Sequence, residues 1–411
     1  MRPAQLRREP LLGILEHARR TTDRYARTLP EHPGTYLASY DAWQSIAVYE
    51  RAALVRERDS FLSRDTPRKW SFSSGTTGTP VAVAKSERDR LTEAHLSWSH
   101  RRPHLSRGAY ARTLNLFTEH HEGAAAAAPR SDGLRDVSTA GLRAALPGIV
   151  DYDPEFLWGP ASALLRFGRL LAETGTRLPS LALVESRGEF VHPWQRDAIR
   201  SVIPAVYRDM YGMTETGTLA YACEADALHL IDSRFLFEVQ RPDGSAATEG
   251  RGRLIVTSLF HRAMPVIRYL TDDYVELSRN TCSCTASAPG PLFGEYCIAF
   301  TAGGRTGEVL THQGRDYPLL SVTVLISKLI GAYNGAVAGT DLVLGGFQCV
   351  QRAGTPLTIR IDGAASARFT GLVERAFAAT MAGAPVMVEY TGDFAIAPSG
   401  KTPVLVHEAA R

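Results

Sequence analysis

The chain predicts an α/β fold: a mainly parallel sheet covered by helices, then an antiparallel β region, then a small α+β domain. Three observations carry this. Between residues 154 and 210, short apolar strand segments alternate with helical ones, as where Leu181–Val184 leads into a helix over Pro193–Arg200 and then a strand over Val206–Met210. From Leu219 to Leu277 the apolar residues recur with period two instead, as in Arg234–Gln240 and Arg253–Thr257. Beyond a Gly-rich stretch at Thr301–Gly307, read as a linker, three strands (Leu342–Gln351, Leu357–Ile361 and Val386–Tyr390) surround a helix over Ala367–Met381. The expected division is a large N-terminal domain over residues 1–303 and a small, mobile C-terminal domain over 304–411.

Taken in order, residues 1–65 are Arg-rich and helical in pattern, with Tyr49–Leu62 carrying apolar positions at helical spacing. Two short strands, Trp70–Phe72 and Val81–Ala84, flank S-S-G-T-T-G-T-P. A helix follows over Ser86–Leu105, ending near Pro103, and Leu114–Phe117 is a strand. Ala124–Ala128 is low in complexity. Pro160–Thr174 is the first helix of the alternating region.

With 411 residues, 44% hydrophobic and 22% charged, the chain can build two or three domains around sizeable cores. A formal charge of +3 and the lack of like-charge blocks argue against a nucleic-acid or membrane-surface partner. The longest apolar region, Leu319–Gly339, is interrupted by Ser321, Lys328 and Asn334 and reads as too polar to span a bilayer. No signal peptide is recognised at the N-terminus. Five cysteines (Cys223, Cys282, Cys284, Cys297, Cys349) are too sparse for a disulfide framework, so the expected location is the reducing cytoplasm. Basic residues are nearly all Arg; the only lysines are Lys69, Lys85, Lys328 and Lys401.

Four stretches carry candidate chemistry. In W-S-F-S-S-G-T-T-G-T-P, hydroxyls surround Gly75 and Gly78, an array of donors suited to a phosphate tail, although Ser/Thr/Gly clusters are equally ordinary turn chemistry. No Gly-Lys-Ser/Thr follows, which excludes the Walker loop. Tyr211-Gly212-Met213-Thr214-Glu215 follows a strand, where open parallel sheets bind ligands, and offers a hydroxyl and a carboxylate suited to Mg²⁺. Arg268-Tyr269-Leu270-Thr271-Asp272-Asp273 places two carboxylates after an apolar segment, either a ribose site or an Asp pair in a turn. Ala397-Pro398-Ser399-Gly400-Lys401 sets a Lys on a turn, as any loop can, or as a domain delivering a cation to developing negative charge would.

In this order along the chain, these stretches resemble those of the adenylate-forming superfamily of acyl-CoA synthetases, within it the phenylacetate–CoA ligase branch with its CapK-like members. Leu183-Val184-Glu185-Ser186-Arg187-Gly188-Glu189, Ala263-Met264-Pro265-Val266-Ile267-Arg268-Tyr269 and Phe347-Gln348-Cys349-Val350-Gln351 extend the resemblance over nearly the full length. It implies an ATP- and Mg²⁺-dependent ligase that makes an acyl-adenylate and passes the acyl group to coenzyme A, or to an amine or a carrier protein. A non-catalytic binding protein on the same scaffold is the alternative from another class.

The resemblance also implies roles. Ser74, Gly75, Thr76, Thr77 and Gly78 would hold the ATP phosphates, and Tyr211 and Gly212 would border adenine and the acyl pocket. Thr214 would touch the α-phosphate, Glu215 would bind Mg²⁺, and Asp273 would hold the ribose, with Arg305 near the hinge. Lys401 would stabilise adenylate formation. Cys223, His229, Cys282 and Cys284 match a structural zinc site of this branch, while Cys297 and Cys349 read as ordinary buried thiols without partners. The polar run Asn115–Glu122 would contribute to the acyl pocket, which favours a polar or aromatic acid. Two departures are Thr285-Ala286-Ser287 where the branch has Gly-Arg after its last Cys, and Gly307 where it has an acidic hinge residue.

Overall fold

The computed structural model describes residues 8–73, 81–117, 131–134, 136–286, 295–305, 309–312, 315–338, 343–352, 355–381 and 385–408. The chain folds as two compact units, one of Met1–Tyr110, His121–Pro129 and Arg208–Phe300, the other of Ala111–His120, Arg130–Tyr207 and Thr301–Arg411. Residues 301–411 thus group with the parallel-sheet region.

In the first unit, helices Arg8–Thr21 and Asp23–Thr28 cover an apolar cluster that contains Tyr25, Trp43, Tyr49, Phe61 and Tyr269. The expected helix over Tyr49–Leu62 is shorter. Tyr49–Glu50 is a two-residue strand, Arg51–Arg56 a helix and Arg58–Phe61 a 3₁₀ turn. The reason is tertiary: Tyr49 pairs in parallel register with Tyr269, and their rings lie 5.3 Å apart. The hairpin Lys69–Phe72 with Ala82–Lys85 follows as expected. Helix Glu87–Arg101 starts at a capping box, in which Ser86 and Asp89 exchange side chain-to-backbone hydrogen bonds.

The period-two region is antiparallel. Phe235–Gln240 pairs with Gly250–Ser258, which pairs with Tyr269–Arg279. Gly217–Ala222 pairs with Leu228–Leu230, and the latter with the strand Tyr296–Arg305. That last strand corrects the linker reading of Thr301–Gly307: its glycines are strand residues as far as Arg305.

In the second unit, the strands Leu183–Arg187, Phe156–Gly159, Thr113–Asn115 and Ser131–Gly133 lie side by side and all parallel. Helices Thr139–Tyr152, Ala161–Thr174 and Pro193–Val202 supply Leu142, Leu146, Leu164, Phe167 and Ile199 to the cluster against this sheet. Gly168 allows helix contact, because a Cβ there would sit 2.5 Å from Val202.

The α+β part has a sheet in the order Val386–Tyr390, Leu357–Asp362, Gly346–Arg352, Leu405–Glu408. Helices Leu319–Ala336 and Ala367–Thr380 pack on it. By length and composition Leu319–Ala336 is apolar enough to cross a bilayer. Here it buries Leu319, Val322, Ile326, Ile330 and Tyr333 in this core.

Candidate active site and metal centre

Several motif residues gather in the first unit around one hairpin. The strand Val206–Met213 runs past its expected end, so Tyr211 and Gly212 lie within it, and it turns through Thr214–Thr216 into Gly217–Ala222. A Cβ at Gly212 would sit 2.5 Å from the Gly217 carbonyl oxygen, so this close crossing requires glycine.

Thr214 is half-buried on the turn, and Glu215 is only 5% exposed. Glu215 Oε1 accepts a hydrogen bond from Tyr269 Oη at 3.1 Å and lies 3.9 Å from Arg51 Nη1. Arg51 Nη2 in turn donates to Ser73 Oγ at 3.3 Å. Ser73 is bonded to Val81, on the far side of the Ser/Thr/Gly stretch in sequence: its N–H donates to the Val81 carbonyl at 2.9 Å and its Oγ accepts from Val81 N–H at 2.8 Å. Ser74, Gly75, Thr76, Thr77 and Gly78 themselves lie outside the described residues. The flanking residues Ser73 and Val81 are bonded to each other, and Ser73 is tied through Arg51 to Glu215.

The Asp pair is not in a turn but inside the strand Tyr269–Arg279, where successive side chains take opposite faces. Asp272 Oδ1 faces Arg253 at 3.4 Å, whereas Asp273 Oδ2 accepts from Tyr211 Oη at 2.6 Å. Tyr211 is held in turn by Phe300, ring to ring at 4.7 Å. Thus Tyr211, Gly212, Thr214, Glu215 and Asp273 share one neighbourhood.

Arg268 has another task. Its φ is +52°, and it forms a two-pronged ion pair with fully buried Glu238, Nε to Oε2 at 3.1 Å and Nη2 to Oε1 at 3.2 Å. It also donates to the carbonyls of Gln44 and Ile46. This is the way the fold holds the strand that presents Tyr269 and Asp273.

A second buried network was not legible in the sequence, except that Lys85 is one of only four lysines. Lys85 Nζ meets Glu93 at 2.7 Å, Glu93 meets His261 Nε2 at 2.8 Å, and His261 Nδ1 meets Ser258 Oγ at 2.6 Å. A Cβ at Gly217 (φ +74°) would lie 2.8 Å from the Glu93 carboxyl carbon, so the network backs directly onto the Thr214–Thr216 turn. Burial alone would raise the Glu93 pKa; the Lys85 ammonium and the His261 ring outweigh it and hold the carboxyl at about 2, against an ordinary 4.5. The ionised carboxylate's contribution is therefore complete above about 4.5 and fades as pH falls toward about 2. Glu93→Gln is expected to lower the urea midpoint near neutral pH, and the gap to wild type is expected to close as the pH drops through that window. A gap that stays constant on acidification contradicts the assignment.

The four expected metal ligands converge. The ligand atoms of Cys223, His229, Cys282 and Cys284 all lie within 4.8 Å of one another. Cys223 Sγ and Cys282 Sγ are 3.6 Å apart, and Cys284 Sγ is 3.1 Å from His229 Nε2. Such spacings suit the edges of a tetrahedron with ligand bonds of about 2.0–2.3 Å. Burial lowers the His229 pKa, which keeps the imidazole neutral as a ligand must be. Cys297 is not without a partner, contrary to expectation: its Sγ lies 3.7 Å from His229 Nδ1. Cys349, by contrast, is a fully buried thiol in the small sheet, with its pKa pushed up to about 12 by burial.

In the second unit, Phe117, Trp158, Arg187 and Gly188 stand at or just past the C-terminal ends of parallel strands. The Phe117 and Trp158 rings are 5.4 Å apart, and the Arg187 guanidinium lies over Trp158 at 4.7 Å. Lys401 belongs to the same unit. It sits on a tight turn, with Gly400 at φ +83° and Ala397 N–H donating to the Lys401 carbonyl at 2.8 Å. The next residue is anchored: Thr402 N–H donates to Glu189 Oε1 at 2.6 Å, and Glu189 also accepts from Ser162. Lys401 Nζ is thereby held 6.0 Å from the Phe117 ring centroid. Arg305 ends the strand Tyr296–Arg305. Glu119, His120, His121, Gly307 and Glu308 lie outside the described residues.

No protein-family model matches the chain. Over 292 residues it is 27% identical to the phenylacetate–coenzyme A ligase of Thermus thermophilus, a match that spans 65% of this chain and 61% of that protein. The chain thus spans less than two thirds of the length of this curated relative. A 2-hydroxyisobutyryl-CoA ligase in complex with 2-HIB-AMP superposes with a TM-score of 0.72 at 15% identity, covering 98% of this chain and 88% of the other. A variant of the amide bond synthetase from Marinactinospora thermotolerans superposes at 0.53 and 16% identity, covering 81% and 67%. The chain has the fold of the adenylate-forming acid ligases, and its sequence is similar to that of a phenylacetate–CoA ligase.

Proposed function

We propose that this protein is an AMP-forming ligase, which uses ATP and Mg²⁺ to convert a carboxylic acid to its acyl-adenylate and then passes the acyl group to coenzyme A. The observation that carries the reading is the assembly of the bonded Ser73 and Val81, Arg51 and buried Glu215 with the Tyr211–Asp273 pair in one unit. Ser74 to Gly78 would hold the phosphates, Asp273 the ribose hydroxyls with Arg305 nearby, and Thr214 the α-phosphate. Glu215 would bind Mg²⁺, a fit supported by a carboxylate whose described contacts both fall on Oε1. When bound, the metal neutralises phosphate charge. The chain's own contribution is alignment of the acid with the α-phosphate and, from Lys401, charge on the departing pyrophosphate. The small domain that carries Lys401 would begin near residue 304.

Cys223, His229, Cys282 and Cys284 would form a closed zinc site with no open position, and therefore a structural one. The aromatic pair Phe117–Trp158 with Arg187 over it supports a polar or aromatic acid over a long alkyl chain. Transfer to an amine or a carrier protein is the second reading, since an amide bond synthetase shares the fold. The test is pyrophosphate release over a panel of acids with ATP and Mg²⁺, with and without coenzyme A. Release with polar or aromatic acids, and thioester only when coenzyme A is present, is expected. Preference for palmitate-like acids refutes the substrate class, and amide product formed when a panel of amines is added, without any thioester from coenzyme A, favours the second reading.

A further inference from the structure

We infer that Cys297 and Asn280 form an outer ring around the proposed zinc site, in which a neutral thiol, rather than the carboxylate or carbonyl usual in that place, orients the histidine ligand. This rests on the zinc reading above. In the antiparallel ladder between Leu228–Leu230 and Tyr296–Arg305, His229 stands directly opposite Cys297, so backbone register sets the two side chains side by side. The two imidazole nitrogens have separate neighbours: Nε2 faces Cys284 Sγ at 3.1 Å, and Nδ1 faces Cys297 Sγ at 3.7 Å. A histidine that ligates through Nε2 must carry its proton on Nδ1, and the direction of the chain of bonds follows. Nδ1–H donates to Cys297 Sγ, and the Cys297 thiol donates to Asn280 Oδ1 at 3.5 Å.

Asn280 Oδ1 also accepts from the backbone N–H of Cys282 at 2.9 Å, while the backbone N–H of Asn280 donates to the Glu295 carbonyl at 2.8 Å. The ring therefore returns to a second ligand. Every atom in it has a defined role as donor or acceptor, and Cys297 must do both. A serine can do so over a shorter reach; an alanine cannot. Cys297 is accordingly a positioning residue outside the ligand set, and it differs from Cys349, which lies in the apolar core of the small sheet.

The experiment compares zinc release from full-length wild type, Cys297→Ala, Cys297→Ser and Asn280→Ala, with a chromophoric chelator, and records the Co²⁺ spectra of the same proteins. Cys297→Ala and Asn280→Ala are expected to bind one equivalent but lose zinc about 10- to 100-fold faster, with partial rescue in Cys297→Ser. The Co²⁺ thiolate charge-transfer intensity is expected to match wild type in all of them, because three thiolates remain. Zinc release from Cys297→Ala at the wild-type rate overturns this inference alone, and so does a loss of about a quarter to a third of the charge-transfer intensity, which would make Cys297 a ligand in place of His229 or of another cysteine. Wild-type protein that takes up neither Zn²⁺ nor Co²⁺ overturns the zinc reading itself.

Discussion

Lys401→Ala is expected to slow pyrophosphate release about a hundredfold or more, the scale for removal of one preorganised electrostatic donor. The turn at Ala397–Lys401 and the anchor from Thr402 to Glu189 fix the backbone that carries the ammonium, so in the proposed reaction little local reorganisation would be needed as charge moves onto the leaving pyrophosphate. An interaction of this kind is stronger in the transition state than in bound ATP, and the loss falls on kcat. ATP affinity is expected to change little, because Glu215, Asp273 and Tyr211 belong to the other compact unit. Transfer from chemically made acyl-adenylate to coenzyme A is expected to run near the wild-type rate in the same variant. Gly188→Ala is a second probe of the same geometry, since a Cβ there would come 3.0 Å from Lys401 Cε at a φ of +80°. Equal losses in both half-reactions for Lys401→Ala would make the residue structural.

Arg268→Ala is expected to destabilise the first unit by about 3–5 kcal/mol, the cost of stripping one partner from a buried ion pair. Glu238 would remain buried, with Trp43 Nε1 at 3.0 Å and Tyr40 Oη at 3.1 Å as its remaining side-chain donors among the described residues. The carbonyls of Gln44 and Ile46 would lose a donor, and the left-handed backbone would persist without the contacts that enforce it. Hydrogen exchange along Tyr269–Arg279 reads this directly, and faster exchange is expected there than in the strands of the second unit. Protection unchanged from wild type would mean that the ion pair does not hold the strand.

Much of the fold was legible because the local patterns agree with the tertiary result. The strands Phe156–Gly159 and Leu183–Arg187 with the helices Ala161–Thr174 and Pro193–Val202, the antiparallel region and most of the small α+β sheet follow local patterns. By contrast, Ser131–Gly133, Thr139–Tyr152, Leu319–Ala336 and Leu405–Glu408 were not read from the sequence. Tyr49–Leu62 shows where a pattern is overridden: helical spacing yields to a strand pairing with Tyr269, far away in sequence. Thr301–Gly307 shows the reverse error, in which glycine content suggested a linker and sheet pairing made a strand as far as Arg305.

The site divides in the same way. Tyr211, Thr214, Glu215 and Asp273 stand in short stretches that are weak singly and stand out only in their order along the chain. The Cys/His set, which spacing alone does not single out, came from the family resemblance. The fold brings each group together. Arg51, Glu93, His261 and Ser258 could not be read from the sequence, because each matters through a partner that only folding supplies. Cys297 belongs with them: its neighbour is fixed by ladder register, which no spacing along the chain reveals.

The most direct test of acyl-adenylate chemistry is acid-dependent exchange of labelled pyrophosphate into ATP, measured without coenzyme A or any other acceptor. The reversible first step predicts label in ATP only when a suitable acid and Mg²⁺ are present, and its loss in Lys401→Ala. Folded, ATP-binding protein that exchanges no label with any acid of a broad panel would contradict the account.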